Sequence, residues 1–464
     1  MPQTTITPHD QSRYVTRELT TDYDSVLNKA STAQRSWAKV PIEKRIEIAN
    51  RFVEEFEKLS EQIIPELTLQ MGRPVSQNAG EIRGTLDRSK FMISIASSSL
   101  SDVELKDSDK PGFRRFIRRE PLGVVFVISP WNYPYLTMIN SVLPALIAGN
   151  AVILKPSPQT PLTAERLASA FYTAGLPPET LQVVHLTPQG VEAVTKHPKV
   201  DFVSFTGSVQ NGRVVSRAAA ASDNFPGVAL ELGGKDPAYV MGNADFDYTV
   251  AELVDGAFFN SGQSCCAVER IYVHESLFDK FVRAYVELVK KYGLGNPTEK
   301  DTNLGPVVSL ASAEKIRKQV SDAIGAGAKA LIPEQLFPCA REGTTYVAPQ
   351  VLIDVTHSMD VMKEETFGPV VGIMKVSSDE EAIKLMNDSP YGLTASIWTS
   401  SQDDFLELVD KVEAGTVYQN RCDYLDPALS WTGVKWSGRG ISLSKFGYDQ
   451  LTRVKSVHIK YKTS

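Results

Sequence analysis

The chain has 464 residues, 42% of them hydrophobic and 22% charged, with a net charge of −6 at pH 7. That length exceeds one ordinary core and suits two substantial domains, and the composition is that of a globular chain, not a disordered one. The acidic balance excludes a nucleic-acid scaffold, which carries a basic excess.

Cys265, Cys266, Cys339 and Cys422 are too few for a disulfide framework in a chain this long, so a reducing compartment is the default. There is no C-x-x-C pair and the histidines form no ligand-like cluster, so no metal site is expected. Asp10, Glu18, Asp22 and Asp24 near the start, with no apolar core beside them, argue against a secretory or transit segment. No apolar run approaches the ~18 residues of a membrane span. The expectation is a cytoplasmic protein with neither membrane nor nucleic-acid partners. The basic run 114–119 reads as a solvated or subunit-facing ribbon.

After a polar start, Tyr23 to Leu59 shows apolar residues at three- and four-residue steps, the period of one helical face. Glu61 to Met71 and Gln77 to Leu100 continue that pattern. Ser101 to Pro111 is charged and apolar-poor, an excursion followed by the basic ribbon. Strands then alternate with helices: Gly123–Ile128, a helix over Thr137–Ala148, Ala151–Leu154, a helix over Thr163–Gly175, Leu181–Val184, and Phe202–Ser204 running into a turn at Gly207. Buried strands spaced by helices imply a parallel sheet covered on both faces, with ligands at the C-terminal strand ends. A helix at Val250–Phe259, a strand at Arg270–Val273 and a helix at Leu277–Lys291 follow. Beyond the Gly293–Val308 loop come a helix at Ala313–Ala326, the stretch Val361–Val376 and a helix–strand unit at Glu380–Trp398. Val457 to Tyr461 alternates as a half-buried strand does, and another subunit could complete it.

The stretch 258–266, Phe-Phe-Asn-Ser-Gly-Gln-Ser-Cys-Cys, is an odd place for a packing cysteine. Small and polar neighbours give backbone freedom and leave amide N–H groups near the sulfur, which favours a thiolate. Pro130-Trp131-Asn132-Tyr133-Pro134 presents an amide on a rigid turn directly after a strand. Lys155-Pro156-Ser157 places a cation after the next strand. Phe205-Thr206-Gly207-Ser208 leads into a helix whose first N–H groups suit a diphosphate. Glu231-Leu232-Gly233-Gly234-Lys235 sets a carboxylate before a double glycine, and Glu365-Thr366-Phe367-Gly368-Pro369 offers an acid and a ring. The ordinary G-x-G-x-x-G fingerprint is absent.

Taken together these segments resemble the aldehyde dehydrogenase superfamily from about Tyr23 to the C-terminus. The resemblance extends to Asn303-Leu304-Gly305-Pro306 and Tyr391-Gly392-Leu393. It implies an α/β, aldehyde dehydrogenase-like fold of two doubly wound α/β domains plus a small β-ribbon oligomerisation element. The dinucleotide-binding domain would take residues 1–102 and 122–232, the catalytic, thiol-bearing domain 233–446, and the ribbon 103–121 with 447–464. A homodimer or homotetramer follows from that ribbon.

By the same resemblance Cys265 is the nucleophile, with Cys266 its bystander. Asn132 and the backbone N–H of Cys265 are oxyanion donors, and Glu231 is the general base. Lys155 contacts the adenosine ribose, Ser208 the diphosphate and Glu365 the nicotinamide ribose. Phe367 packs against the nicotinamide, and Trp131 lines the cofactor cleft. The chemistry is consistent: a thiolate adds to an aldehyde, donors hold the alkoxide, hydride leaves to NAD or NADP, and a carboxylate activates water to hydrolyse the thioester.

Departures from the family pattern bear on cofactor, proton route and substrate. Pro158 stands where an acid usually accepts the ribose of NAD, so NADP is expected as readily as NAD. Ser141 and Arg453 stand where a lysine and a glutamate are thought to relay the proton from the base. Tyr135, Asn140, Arg421 and Tyr424 are expected to line the substrate site. Asn140 replaces the arginine usual in succinate-semialdehyde members, while Arg421 leaves an acidic substrate open; a broad medium-chain or aromatic range is preferred. The alternatives are a CoA-acylating semialdehyde dehydrogenase, which commonly lacks the base, and a catalytically idle nucleotide-binding relative.

Overall fold

A computed structural model describes residues 2–105 and 111–461. Positions 106–110 of the charged excursion lie outside the described residues, as do 1 and 462–464.

The first large sheet has six strands in the order Gly438–Arg439, Gly227–Glu231, Phe202–Thr206, Val124–Ile128, Ala151–Lys155 and Leu181–Val183. All are parallel except Gly438–Arg439, which runs antiparallel against Gly227–Glu231. Val124–Ile128 is buried at every position because both faces are covered. Val125 and Val127 enter one core, with helices Ile42–Lys58, Val75–Leu100 and Pro134–Ala148. Val124, Phe126 and Ile128 enter the opposite core with Leu27, Ala30 and Val215. Helix Pro134–Ala148 starts with proline at its first turn, where no N–H partner is needed, and stops at Gly149 with φ 97°.

From Val124–Ile128 the chain moves outward through Ala151–Lys155 to Leu181–Val183, then returns to the other side with Phe202–Thr206 and Gly227–Glu231. Such a reversal opens a crevice beyond the C-terminal strand ends. Asn132, Lys155, Ser208 and Glu231 all lie at those ends.

The second sheet has seven strands: Lys329–Ala330, Gln350–Ile353, Val370–Val376, Val268–His274, Asp236–Val240, Thr394–Trp398 and Thr416–Gln419. Only Lys329–Ala330 is antiparallel. Cys265 comes just before Val268–His274, and Glu365 to Phe367 come just before Val370–Val376. The N-terminal strand ends of this sheet therefore meet the C-terminal ends of the first. The stretch 361–376 divides into a short helix, Asp360–Lys363, and that strand.

A third sheet orders Thr452–Lys460, Phe113–Pro121 and Val103–Glu104. Thr452 pairs with Pro121 and Lys460 with Phe113, so the terminal strand finds one partner inside its own chain. Its other edge has no strand beside it among the described residues. The strand is mostly exposed, not half-buried as its alternation suggested, because no core lies beneath it within the chain; Val454 is 70% exposed. The polar start contains a pair of strands, Gln3–Ile6 and Arg13–Arg17, whose threonine-rich sequence gave no apolar signal. Among the described residues no helix is long and apolar enough to cross a membrane, and no cluster of three His, Cys, Asp or Glu is placed to hold a metal.

Candidate active site

Helix Phe246–Phe258 gives way to Asn260, Ser261 and Gly262, all with positive φ, at 52°, 55° and 69°. Two of these are non-glycine residues in the left-handed region, so outside contacts must hold them there. Ser261 Oγ donates to the Gly305 carbonyl at 2.9 Å, the Asn260 N–H to Gln77 Oε1 at 3.2 Å, and the Val308 N–H to Gln263 Oε1 at 2.8 Å. At Gly262 a Cβ would sit 2.2 Å from the Gly368 carbonyl oxygen. The loop whose composition suggested freedom is thus tied down.

Cys265 is half-buried and opens onto a cavity of about 340 Å³, which Glu231 also lines. Cys266 is buried behind it, its thiol donating to Asp423 Oδ1 at 3.0 Å. Its hydrogen bond with Cys265, burial and the nearby Asp423 push the Cys266 thiol well above the usual range. Burial pushes Asp423 up to about 6, against the opposing hydrogen bonds from Cys266 and Ser264.

Glu231 ends its strand with Oε1 accepting from Ser442 Oγ at 2.6 Å and Oε2 from Thr206 Oγ1 at 3.4 Å. Burial raises its pKa, while Ser442, Arg88 and Thr206 act in the opposite direction. Asn132 is buried, and its Nδ2 donates to the Gln263 carbonyl at 3.2 Å, two residues from Cys265. The turn that carries it is fixed by a buried ion pair, Arg73 with Glu81. Arg73 also donates to the Asn132 carbonyl and lies 4.4 Å from the Tyr133 ring centre, and Glu81 Oε1 accepts from the Tyr135 N–H at 2.8 Å.

Of the residues expected at the cofactor, Lys155 ends one strand of the first sheet and Ser208 follows another. Lys155 is buried with no described acceptor for its ammonium, and burial lowers its pKa to about 8. Ser208 caps helix Val209–Ala220, its Oγ accepting from the Asn211 N–H at 3.3 Å. Glu365 Oε1 accepts from the Gly234 N–H at 3.1 Å, and a Cβ on Gly233 would lie 2.4 Å from that oxygen. Burial, reinforced by Glu269, pushes Glu365 up to about 7. Phe367, at φ 55°, meets the Trp131 ring edge-on with centres 5.6 Å apart. A buried cation without an acceptor, a capped helix start and a buried acid beside a double glycine fit the diphosphate and ribose hydroxyls of a dinucleotide.

The aldehyde dehydrogenase family model matches residues 3–457. The chain belongs to the aldehyde dehydrogenase family. Human retinaldehyde dehydrogenase 3 is 39% identical over 346 residues, 74% of this chain and 67% of that protein. Betaine aldehyde dehydrogenase from Staphylococcus aureus, solved with NAD+, superposes with a TM-score of 0.93 at 30% identity, covering 100% of this chain and 92% of that one. Glyceraldehyde-3-phosphate dehydrogenase from Methanocaldococcus jannaschii, solved with NADP, gives 0.92 at 27% identity, covering 99% of each. This aldehyde dehydrogenase therefore oxidises an aldehyde with NAD or NADP through a cysteine-bound intermediate.

Several residues of this aldehyde dehydrogenase that shape the site carry no sequence signal. Arg73, Glu81 and Arg88 are charged residues near or within helices and would be taken for a solvated face, yet all three are buried. Glu269 pairs with Lys235 in the interior and accepts from the Thr366 and Phe367 N–H groups, at 2.9 Å in each case, fixing the turn that carries Glu365 and Phe367. Of the expected lining residues, Asn140 and Tyr424 border the cavity. Tyr135 instead packs in the core with its ring centre 5.2 Å from that of Phe56, and Arg421 stacks outside on Tyr424. Ser141 Oγ lies 2.8 Å from Ser204 Oγ, and Arg453 sits on the ribbon 3.8 Å from Glu120.

Proposed function

We propose that Cys265 is the nucleophile, that Asn132 Nδ2 and the backbone N–H of Cys265 stabilise the oxyanion, and that Glu231 is the base that hydrolyses the thioester. The observation that carries this is the shared cavity of Cys265 and Glu231, with Asn132 anchored two residues from the sulfur. The rigid left-handed turn fixes the sulfur, and the Arg73–Glu81 pair fixes the amide turn. Addition of the thiolate to the aldehyde carbon gives an alkoxide, and a donor already in place is worth about 10²–10³ in rate. NAD(P)+, when bound, would supply the acceptor for the hydride that leaves the alkoxide carbon as the Cys265 adduct becomes a thioester. Glu231, raised by burial but held on Ser442, then takes a proton from the attacking water.

Lys155 and Ser208 would hold the adenosine ribose and diphosphate, Glu365 the nicotinamide ribose, with Phe367 and Trp131 bordering the ring. The division into 1–102 with 122–232, 233–446, and 103–121 with 447–464 is supported by the three sheets, with Gly438–Arg439 crossing back to the first. A homodimer or homotetramer is supported by the open edge of Thr452–Lys460. A cytoplasmic location is in keeping with four free cysteines. For substrate, medium-chain or aromatic aldehydes suit the cavity's size and its Leu136, Phe259, Leu425 and Trp431 walls.

The test is an absorbance assay for reduced nicotinamide with an aldehyde panel, NAD+ and NADP+ in parallel, and Cys265→Ala as control. Turnover lost in that variant supports the reading; turnover retained in it sinks it. NADH formation that requires CoA would move the chain to the acylating class.

A further inference from the structure

Arg88 projects from helix Val75–Leu100 into the cavity that holds Cys265 and Glu231, with 8% of the residue exposed. Its Nη1 donates to the Leu136 carbonyl at 2.7 Å and to Asn140 Oδ1 at 3.2 Å. No described residue accepts from Nε or Nη2, and no described carboxylate is in ion-pair contact with the guanidinium. The two other arginines buried to this degree direct their guanidinium nitrogens at partners, apart from Arg73 Nε, which has no acceptor among the described residues. Arg73 pairs with Glu81 and holds the Asn132 carbonyl. Arg270 donates to the carbonyls of Lys235, Leu385 and Met386.

A guanidinium withdrawn from water is stabilised only by an anion or a full set of acceptors. The Nε–Nη2 edge left open is one of the two that grip a carboxylate through parallel N–H bonds. Burial already pushes the Arg88 pKa down, as it does for a cation short of partners. Glu231 acts on Arg88 through space, but its oxygens are engaged by Ser442 and Thr206. Asp423 is likewise occupied by Ser264 and Cys266. Asp87 and Asp255 line the same cavity but are exposed, where water and salt weaken their influence, and Glu252 is half-buried.

We propose that Arg88 is a specificity-determining residue that receives a carboxylate at the far end of the substrate, so that within the medium-chain and aromatic range this enzyme prefers aldehydes that also carry a carboxylate. Asn140 does not supply the positive charge; it orients the guanidinium that does. The proposal rests on Cys265 and Glu231 acting as nucleophile and base.

The test uses full-length enzyme and size-matched aldehydes: butanal, 4-oxobutanoate and 4-aminobutanal, then benzaldehyde and 4-carboxybenzaldehyde. Wild type is expected to favour the carboxylated member by at least about tenfold in kcat/KM, expressed mainly in KM. Arg88→Gln should bring that ratio close to one, and Arg88→Lys should restore part of it. Should the variants fail to fold, wild-type inhibition is read instead: succinate should compete with butanal at least about tenfold better than butyrate does. A wild type that prefers the neutral or amine-bearing aldehyde overturns the proposal, as does equal competition by succinate and butyrate. It is equally overturned if Arg88→Gln lowers all rates alike, the mark of a residue that only balances Glu231. These outcomes leave the Cys265 reading intact, whereas wild type that reduces neither dinucleotide with any aldehyde would overturn both.

Discussion

Ser442 Oγ donates a 2.6 Å hydrogen bond to Glu231 Oε1, joining residues 211 positions apart in the chain. The hydroxyl stabilises the ionised carboxylate against the burial that disfavours it. Ser442→Ala should therefore raise the Glu231 pKa further, so that a smaller fraction of this proposed base is ionised at a given pH. A hydrogen bond to a charged group contributes about 1.5–3 kcal/mol, which corresponds to about one to two pH units on the acidic limb of the kcat profile. The measurement is that limb in wild type and variant with an aldehyde whose hydrolytic step limits turnover. An unmoved limb would mean that Glu231 is not the base or that Ser442 does not tune it.

The two adjacent thiols should behave differently. Cys265 faces the cavity, while Cys266 is buried, protonated and bonded to Asp423. Cys265→Ala should cost at least about 10³ in aldehyde oxidation, because a lost nucleophile removes the covalent route, and dinucleotide binding should persist. Cys266→Ala should stay within about tenfold of wild type. Brief alkylation followed by peptide mapping should label Cys265 first, and preferential labelling of Cys266 would reverse the assignment.

Arg73→Ala leaves Glu81 as an unpaired buried carboxylate and frees the Asn132 carbonyl. Breaking one side of such a pair costs about 3–5 kcal/mol. The expected outcome is a clear drop in denaturant midpoint together with a lower kcat, since Asn132, the proposed oxyanion donor, sits on the turn that Arg73 holds. Removing both partners as Arg73→Met with Glu81→Leu should recover much of the stability but not the rate. Stability and rate recovering together would show that the pair contributes bulk packing alone.

Lys155 has a free-amine value of 10.5 that burial lowers to about 8. Between those two values the folded protein binds fewer protons at this site than the unfolded chain, so the penalty of the buried ammonium fades as pH rises through that window. Ligand binding runs the other way. A 2′-phosphate is drawn to the ammonium, so NADP affinity should fall as pH rises above about 8, by up to tenfold per unit, and Lys155→Met should flatten the dependence. Titration of tryptophan quenching by NADP between pH 6.5 and 9.5 reads this directly. A wild-type affinity independent of pH would show that Lys155 does not meet the phosphate.

The segments legible in the sequence share one property: each packs an unusual residue type into a few consecutive positions at a strand end. Glu231 before its double glycine and Cys265 after Gln263 are of that kind, and the alternating buried strands around them were readable from apolar runs. Arg73, Glu81, Arg88, Glu269 and Ser442 are single polar residues whose meaning depends on distant chain. On a helix, Arg88 looks the same whether it faces water or a cavity; only the arrival of helix Pro134–Ala148 decides. Tyr135 shows the converse, since its neighbours in sequence suggest a site and its packing against Phe56 makes it core.

Gly438–Arg439 hydrogen-bonds to the strand that ends in Glu231, and Ser442 follows three residues later. During synthesis, Glu231 thus lacks both its flanking strand and its hydroxyl neighbour until positions 438–442 have left the ribosome. Until then the carboxylate has neither the strand pairing nor the hydrogen bond that favours its ionised form. If Glu231 is the base, cutting the chain before position 438 should impair release of an acyl intermediate more than its formation.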